Sequence, residues 1–171
     1  MSTRGYLGLK KNGELKGTYN HFDSYPTGLG ADIMNYICKE LEQGKRIEVL
    51  SETFDYIQLV NENDTPTKEQ QEACQKAGLV NLIVADRSLE DWYCLLREAQ
   101  GNLKIYVDKV IPYMIDSNSF LEDTLFCEWA YILNLDTGLL EIYENGNRDL
   151  RAEISIENMT LDDVLTLQSM I

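Results

Sequence analysis

Hydrophobic and polar residues alternate at the start of the chain, a pattern typical of β-strands. Apolar side chains alternate with small or polar ones over residues 4–10, and the alternation resumes over residues 14–19. Asn12-Gly13 separates the two runs, and this dipeptide favours a tight turn because both residues tolerate a positive φ angle. The sequence therefore predicts an N-terminal β-hairpin.

The middle of the chain carries the spacing of α-helices. The predicted helices span residues 28–43 (starting at Gly28 or Leu29), 45–60, 65–78 (starting at Thr65 or Thr67) and 88–100. Ser88 is followed three residues later by Asp91, which resembles a capping box and sets the start of the last of these helices. Residues 79–84 are apolar without a decisive period. Residues 103–114 combine the β-branched content of a strand with a spacing that permits a helix, so both alternatives stay open.

A second hairpin is predicted near the C-terminus. Two strand-like runs, residues 127–135 and 139–143, are joined by the turn sequence Asp136-Thr137-Gly138. A short strand over residues 153–156 follows, and Thr160 with Asp163 caps a terminal helix. The predicted fold class is α+β in one domain of 171 residues: antiparallel hairpins near both ends of the chain form a sheet, packed with helices from the middle and C-terminus.

The composition indicates a folded and strongly acidic protein. Hydrophobic residues make up 44% of the chain, enough for one domain with its own core. There are 29 acidic and 15 basic residues, a net charge of −14, and residues 110–171 hold 12 of the acids but only two of the bases. This field repels nucleic-acid phosphates and anionic membranes, and it favours a partner with a basic surface. Because no apolar run or apolar leader stands out, we expect a cytoplasmic protein.

The acidic residues of the C-terminal part are the candidate partner-binding residues. They are Glu122, Asp123, Glu128, Glu141 and Glu144, with Asp149 and Glu153 as further candidates. On one contiguous surface they would compete with nucleic acid for a basic groove of the partner. Strand alternation is the feature that would divide them between two faces.

The most distinctive segment is residues 20–30, which follow the first hairpin directly. It holds His21, the only histidine, together with Asp23 and Tyr25, and it ends with a proline and two glycines. If these side chains converge, Asp23 would fix the tautomer of His21 and raise its pKa, and Tyr25 would donate a hydrogen bond to a developing negative charge. The alternative is structural: the same residues would satisfy a tight turn and hold the entry to the next helix.

Other candidate sites rest on single features. Ser2 would become the first residue after removal of Met1, the arrangement that N-terminal-nucleophile hydrolases use. The four cysteines (Cys38, Cys74, Cys94, Cys127) are far apart, which indicates buried, reduced thiols rather than a zinc site. Adjacent pairs of acids fit the first turns of helices. We expect neither a metal nor a cofactor.

Two segments resemble a family of small phage and prophage proteins. The first combines the Ser-Thr-Arg start at residues 2–4 with the His-aromatic-Asp-x-Tyr-Pro turn at residues 21–26, and the second is the hairpin over residues 129–143. The resemblance implies the setting of a mobile-element accessory gene, where small acidic proteins are often inhibitors of host defence such as anti-CRISPR proteins. It implies no catalytic role for His21 or Asp23.

The sequence thus leads to two hypotheses. The first is an inhibitor of a host defence nuclease of the CRISPR-effector kind, which binds the basic nucleic-acid channel of that enzyme. The acidic charge disfavours direct binding of nucleic acid, although a local basic patch would still permit it. The alternative is a small hydrolase or nuclease-like enzyme with His21 as base, Asp23 as its orienting residue and Tyr25 as hydrogen-bond donor.

Overall fold

The two predicted hairpins form the frame of the fold. A computed structural model describes residues 3–170. Its strands are β1 (Gly5–Lys11), β2 (Glu14–Asn20), β3 (Gln58–Val60), β4 (Tyr113–Ile115), β5 (Trp129–Asn134), β6 (Leu139–Glu144) and β7 (Asp149–Ser155). The order in the main sheet is β2-β1-β5-β6-β7, and all neighbours are antiparallel except β1 and β5. The fold class is therefore α+β, as predicted.

The parallel contact between β1 and β5 joins the two hairpins into one sheet. Gly5 lies opposite Trp129 at one end of this contact. At the other end the two hairpin turns meet, because the Asp136 carboxylate accepts hydrogen bonds from the backbone N–H groups of Asn12 (2.7 Å) and Gly13 (2.9 Å). Asn12 and Gly13 have φ angles of 52° and 76°, as their tight turn requires.

Six α-helices of the described part pack mainly on one side of this sheet. They are α1 (Ala31–Glu40), α2 (Arg46–Tyr56), α3 (Lys68–Lys76), α4 (Trp92–Leu95), α5 (Leu103–Val107) and α6 (Leu161–Leu165). A π-helical turn, Pro26–Gly30, leads into α1, and capping boxes begin both α3 (Thr67 with Gln70) and α6 (Thr160 with Asp163). Within residues 3–170, no helix combines the length and the apolar character needed to cross a membrane.

The sheet has one deeply buried face and one partly open face. Leu7, Leu9, Tyr131, Leu133 and Ile142 belong to the main core, which they share with the helices. On the opposite face a smaller cluster surrounds Tyr6 and includes Leu121, Cys127, Ala130 and Ile132. Both faces of the central strands are therefore covered, which explains why β5 is buried along its whole length.

Glycines in the first hairpin make room for the Tyr6 ring. A Cβ atom at Gly8 or at Gly17, its partner across the hairpin, would collide with this ring. The Tyr6 hydroxyl donates to the Asn118 side-chain oxygen at 2.6 Å. The short 3-10 helix Asn118–Glu122 is thus held over the open face of the sheet.

Several predicted helix boundaries are wrong: the first helix ends at Glu40 rather than at residue 43, and the fourth ends at Leu95 rather than at residue 100. The helix predicted over residues 45–60 ends at Tyr56, because Ile57 is extended and Gln58 donates its N–H to the Pro112 carbonyl to start β3, which pairs with β4 in parallel. The helix predicted from Ser88 begins at Trp92, because the Asp91 carboxylate caps it by accepting from the Tyr93 N–H. Residues 103–114 contain both alternatives, a helix and then a strand.

Candidate functional site

The segment of residues 20–30 is a corner whose polar groups bond mainly within the fold. The Asn20 side-chain amide donates to the Phe22 carbonyl (2.6 Å) and to the Ser24 hydroxyl (2.9 Å). The buried Tyr131 hydroxyl donates to the Ser24 carbonyl at 2.7 Å. The carbonyl of Asp23 accepts the Leu29 N–H at 2.8 Å. These contacts connect the end of β2 to the π-helical turn before α1.

His21 pairs with a tyrosine in this corner. Its Nδ1 atom lies 2.6 Å from the Tyr19 hydroxyl oxygen, and its ring packs edge-to-face on Phe22 at 4.4 Å between centroids. The prediction of a raised pKa is wrong: partial burial and the nearby guanidinium groups of Arg97 and Arg4 lower the pKa of His21 below its usual value. His21 is therefore neutral at pH 7, with no carboxylate hydrogen-bonded to its ring among residues 3–170.

Asp23 and Tyr25 do not join His21. The Asp23 side chain is exposed and lines a separate small cavity with Asp32 and Gly101. Burial, together with the nearby charge of Asp23, raises the pKa of Asp32. The Tyr25 side chain packs against the main core instead. The three side chains that the sequence grouped as a catalytic set thus occupy three different environments.

A cavity of about 350 Å³ opens beside His21, and we call it the aromatic cavity. Its aromatic walls are Tyr19 at the end of β2, His21, Tyr93 in α4 and Phe120 in the 3-10 helix. Tyr19 and Phe120 meet edge-to-face with ring centroids 5.0 Å apart, and Tyr19 and Tyr93 are tilted by 42° at 6.5 Å. The polar lining comprises Thr18, Glu62, Gln100, Asp116, Ser117 and Ser119.

The aromatic cavity opens into an acidic groove, defined by Glu62, Asp86, Asp91 and Asp116. The groove consists of two adjoining cavities of about 460 and 380 Å³, which share Glu62 and Asn63. Burial and the nearby Asp91 carboxylate raise the pKa of Glu62. No ion pair within residues 3–170 involves any of the four carboxylates. The groove therefore concentrates negative charge without an internal counterion.

Most of the predicted partner-binding acids bond within the fold. The Glu128 carboxylate accepts from the backbone N–H of Arg4 at 2.8 Å, and Asp123 accepts from the N–H groups of Leu125 and Phe126. Glu141 accepts from the Asn134 amide (3.1 Å) and the Tyr143 hydroxyl (3.2 Å), Glu144 pairs with Arg151, and Asp149 pairs with Arg148. Glu122 and Glu153 are exposed and have no such bond among the described residues.

Strand alternation divides the predicted acids of the C-terminal hairpin between two faces. Glu141 lies between Ile132 and Glu153 in the register, on the side of the smaller cluster. Glu144 lies opposite Trp129, and the Arg151 guanidinium that pairs with it sits 5.6 Å from the Trp129 ring, on the side of the main core. These acids therefore form no single continuous surface.

The remaining candidates contribute no site geometry. Ser2 lies outside the described residues. Cys74, Cys94 and Cys127 are buried, Cys38 is half-buried, and all four are reduced, as expected. Burial raises the pKa of Cys74 to about 11 and that of Cys127 to about 12, which makes both thiols unreactive. Within residues 3–170 no group of three His, Cys, Asp or Glu side chains has the geometry to hold a metal ion.

Comparisons with protein-family models, with curated proteins and with solved structures found no match to this chain. Concave surface and convergent polar and aromatic side chains coincide at the aromatic cavity and the acidic groove.

Sequence reasoning missed most residues of these two features. Glu62, Tyr93 and Phe120 come from three segments separated by 25 residues or more, and no local motif connects them. Tyr19 had a detectable signal, because it stands two residues before His21 at the end of a predicted strand. Residues two apart on a strand point to the same face, which predicts their contact.

Proposed function

We propose that this protein is an inhibitor that binds the basic nucleic-acid channel of a host defence nuclease of the CRISPR-effector kind. The acidic groove is the observation that supports this function. Its carboxylates come from the loop after β3, the loop before α4 and the loop after β4, and the fold gives them no basic partner. A lysine- or arginine-rich surface would supply the missing positive charge.

The groove is better suited to this role than the acids of the C-terminal hairpin. Glu144 and Asp149 already have arginine partners, and Glu128 and Glu141 already accept hydrogen bonds. A partner would have to replace those contacts before it gained new ones. The side chains of Glu62 and Asp86 form no hydrogen bond within residues 3–170, so their full charge is available to a partner.

The enzymatic alternative receives no support from the site. A general base of the expected kind needs an orienting group on the histidine, and Asp23 lies elsewhere. Tyr25, the expected hydrogen-bond donor, packs against the main core. No observation therefore favours hydrolysis over binding.

A pull-down at two salt concentrations tests the proposed function. Tagged protein is mixed with a panel of guide-loaded defence nucleases, and bound nuclease is then tested for loading of its target DNA. We expect a complex that blocks loading of target DNA and that weakens as salt increases. Salt screens the attraction between exposed charges, which at physiological ionic strength is largely lost beyond about 8 Å.

Two pairs of charge reversals identify the surface. Glu62→Lys with Asp86→Lys changes the groove, and Glu122→Lys with Glu153→Lys changes net charge by the same amount elsewhere. We expect the first pair to lose the complex and the second to retain most of it. Equal weakening by both pairs would show that only overall charge matters, and no complex with any nuclease would contradict the proposal.

A further inference from the structure

Two arginines near the aromatic cavity lack carboxylate partners. The ion pairs within residues 3–170 use Lys11, Lys45, Lys104, Arg148 and Arg151. Arg4 and Arg97 take part in none of them, although acidic residues outnumber basic ones about two to one. Other basic residues of the described part also form no ion pair, so what distinguishes Arg4 and Arg97 is their position beside His21, whose pKa both of them lower.

Aromatic rings accompany these arginines instead of carboxylates. The Arg97 guanidinium carbon lies 5.1 Å from the Phe22 ring centroid and 5.9 Å from that of Tyr93, and Arg4 lies 5.6 Å from Phe126. Phe22 and Phe126 are each 52% exposed. We call Arg4, Arg97, Phe22 and Phe126 the arginine ridge. Arginines interleaved with exposed rings are typical of surfaces that bind nucleotides and single strands.

The arginine ridge and the aromatic cavity meet at His21. The ring of His21 lines the cavity, packs on Phe22 of the ridge, and lies within the field of both ridge arginines. Gln100 is a second junction, because it lines the cavity and accepts a hydrogen bond from Arg97 at 3.4 Å. The Nε–H group of Arg97 is buried without an acceptor in the described part of the chain.

We propose that the aromatic cavity and the arginine ridge together bind a nucleoside phosphate. The base would enter the cavity between Tyr19, Tyr93 and Phe120, and the phosphate would lie against the arginines of the ridge. A volume of about 350 Å³ is within the range of small-molecule sites. Stacking on aromatic side chains is tolerant of base identity, and guanidinium groups match the geometry of phosphate oxygens.

The acceptors around the cavity favour some bases over others. Glu62 and Asp116 offer carboxylate oxygens, which accept hydrogen bonds from N–H groups on the edge of a base. Guanine presents several such donors on its Watson–Crick edge, whereas uracil presents one. Guanosine monophosphate is therefore the first probe, with uridine monophosphate as the comparison.

The negative net charge of the protein favours binding of a free nucleotide over binding of a long nucleic-acid strand. A net charge of −14 and the adjoining acidic groove repel a polyanion that extends beyond the site. Glu62 and Asp116 line both the aromatic cavity and the acidic groove, so substitutions outside this overlap are needed to separate the nucleotide site from the proposed inhibition. Arg97 and Phe22 lie outside the acidic groove, and Asp86 lies outside the nucleotide site.

The single histidine makes the test direct. The ring-proton NMR signals of His21 need no assignment, because no other histidine is present. Four ligands are titrated separately into the full chain: guanosine monophosphate, uridine monophosphate, guanosine and inorganic phosphate. Each is added up to about 5 mM, which is several times the dissociation constant of a site with an affinity of about 1 mM. We expect a saturable shift that is tightest with guanosine monophosphate and at least about tenfold weaker with guanosine or phosphate alone.

Variants assign the binding to the ridge and the cavity. Arg97→Gln should weaken guanosine monophosphate about tenfold or more while leaving guanosine nearly unchanged, because it removes a charge-assisted contact to phosphate. Arg148→Gln removes an exposed arginine elsewhere and should have no effect. Ser119→Trp, which fills the cavity mouth from an exposed position, should abolish binding while the thermal unfolding curve remains that of a folded protein.

Three results would overturn the inference. One is the absence of any saturable His21 shift with the monophosphates. Another is an Arg97→Gln variant, shown to be folded, that binds as tightly as the original protein. A third is a 5′-phosphorylated oligonucleotide that binds more tightly than the free nucleotide, which would assign the site to strand ends instead.

Discussion

The turn of residues 20–30 and the acidic groove use polar groups in opposite ways. In the turn, Asn20, Ser24 and the Asp23 carbonyl are satisfied by neighbours in the fold. In the groove, the Glu62 and Asp86 side chains have no hydrogen bond within residues 3–170, and burial and Asp91 keep the pKa of Glu62 raised. Dense polar sequence at the turn serves folding. In the groove, Asp91 caps α4 and Asp116 accepts the Asn118 N–H, whereas Glu62 and Asp86 carry charge that no hydrogen bond or ion pair within residues 3–170 uses.

This difference has an energetic meaning. A buried polar group that loses its partner costs about 1–3 kcal/mol, so the fold depends on the contacts of the turn. Exposed carboxylates that repel one another contribute little or slightly oppose folding. The turn should therefore respond to substitution with loss of stability, and the groove should respond with loss of binding.

The largest effect is expected from Gly28→Ala in the turn. A Cβ atom at this position would collide with the Asp23 carbonyl oxygen, which already accepts the Leu29 N–H. We expect the free energy of unfolding in urea to fall by about 2–4 kcal/mol. Thr27→Ala, one residue earlier and half-buried, serves as the control and should cost much less. Equal costs would mean that the close approach at Gly28 relaxes freely.

A smaller loss is expected from Tyr131→Phe, which removes the hydroxyl under the turn. The Ser24 carbonyl would lose its 2.7 Å hydrogen bond in a buried position. We expect a decrease of about 1–3 kcal/mol in the free energy of unfolding. Tyr143→Phe removes a hydroxyl that contacts Glu141 in a half-buried position, and it should cost less. The reverse order would contradict the structural role of the turn.

The groove is expected to tolerate the substitution Asp86→Asn. Because the Asp86 side chain is exposed and makes no hydrogen bond within the described residues, the free energy of unfolding should change by less than about 0.5 kcal/mol. The proposed complex with a basic partner should nevertheless weaken. A clearly destabilised variant would show that the groove, like the turn, serves the fold.

The smallest effect concerns the titration of Glu62. Its raised pKa in the folded state means that protonation favours folding, so its contribution to stability is present at low pH and is lost as pH rises through that pKa. NMR titration of the Glu62 carboxyl should give a pKa above the usual value of about 4.3. Asp91→Asn, which keeps an oxygen for the helix cap, should lower it. An unchanged pKa of Glu62 in this variant would mean that the Asp91 carboxylate lies too far away to affect it.

The sequence predicted the elements better than it predicted the site. Asn12-Gly13 and the alternation beside it predicted the first hairpin correctly, and Thr160 with Asp163 predicted the last helix cap. Each of these signals depends only on neighbouring residues and is compatible with a single local structure. Gln58 shows where such signals fail. It continues a helical pattern, but its backbone N–H donates to the Pro112 carbonyl, and the residue therefore starts a strand.

The site could not be read in the same way because its residues meet only through tertiary contacts. The sequence singled out His21, which lines the aromatic cavity, but its predicted neighbours were chosen by distance along the chain. Asp23 is two residues away and points elsewhere, whereas Arg97 is far away in sequence and lowers its pKa. Sequence proximity predicts partners in strands and helices, and it does so poorly in a turn.

The parallel pairing of β1 with β5 also governs the order in which the chain can fold. The hairpin of β1 and β2 is synthesised before β5, so the inner edge of β1 stays unpaired until residues 129–134 have been made. Pairing across so long a segment slows folding and leaves a strand edge exposed in the meantime. The nascent chain thus carries an open β-edge through most of its synthesis, and the C-terminal hairpin closes it.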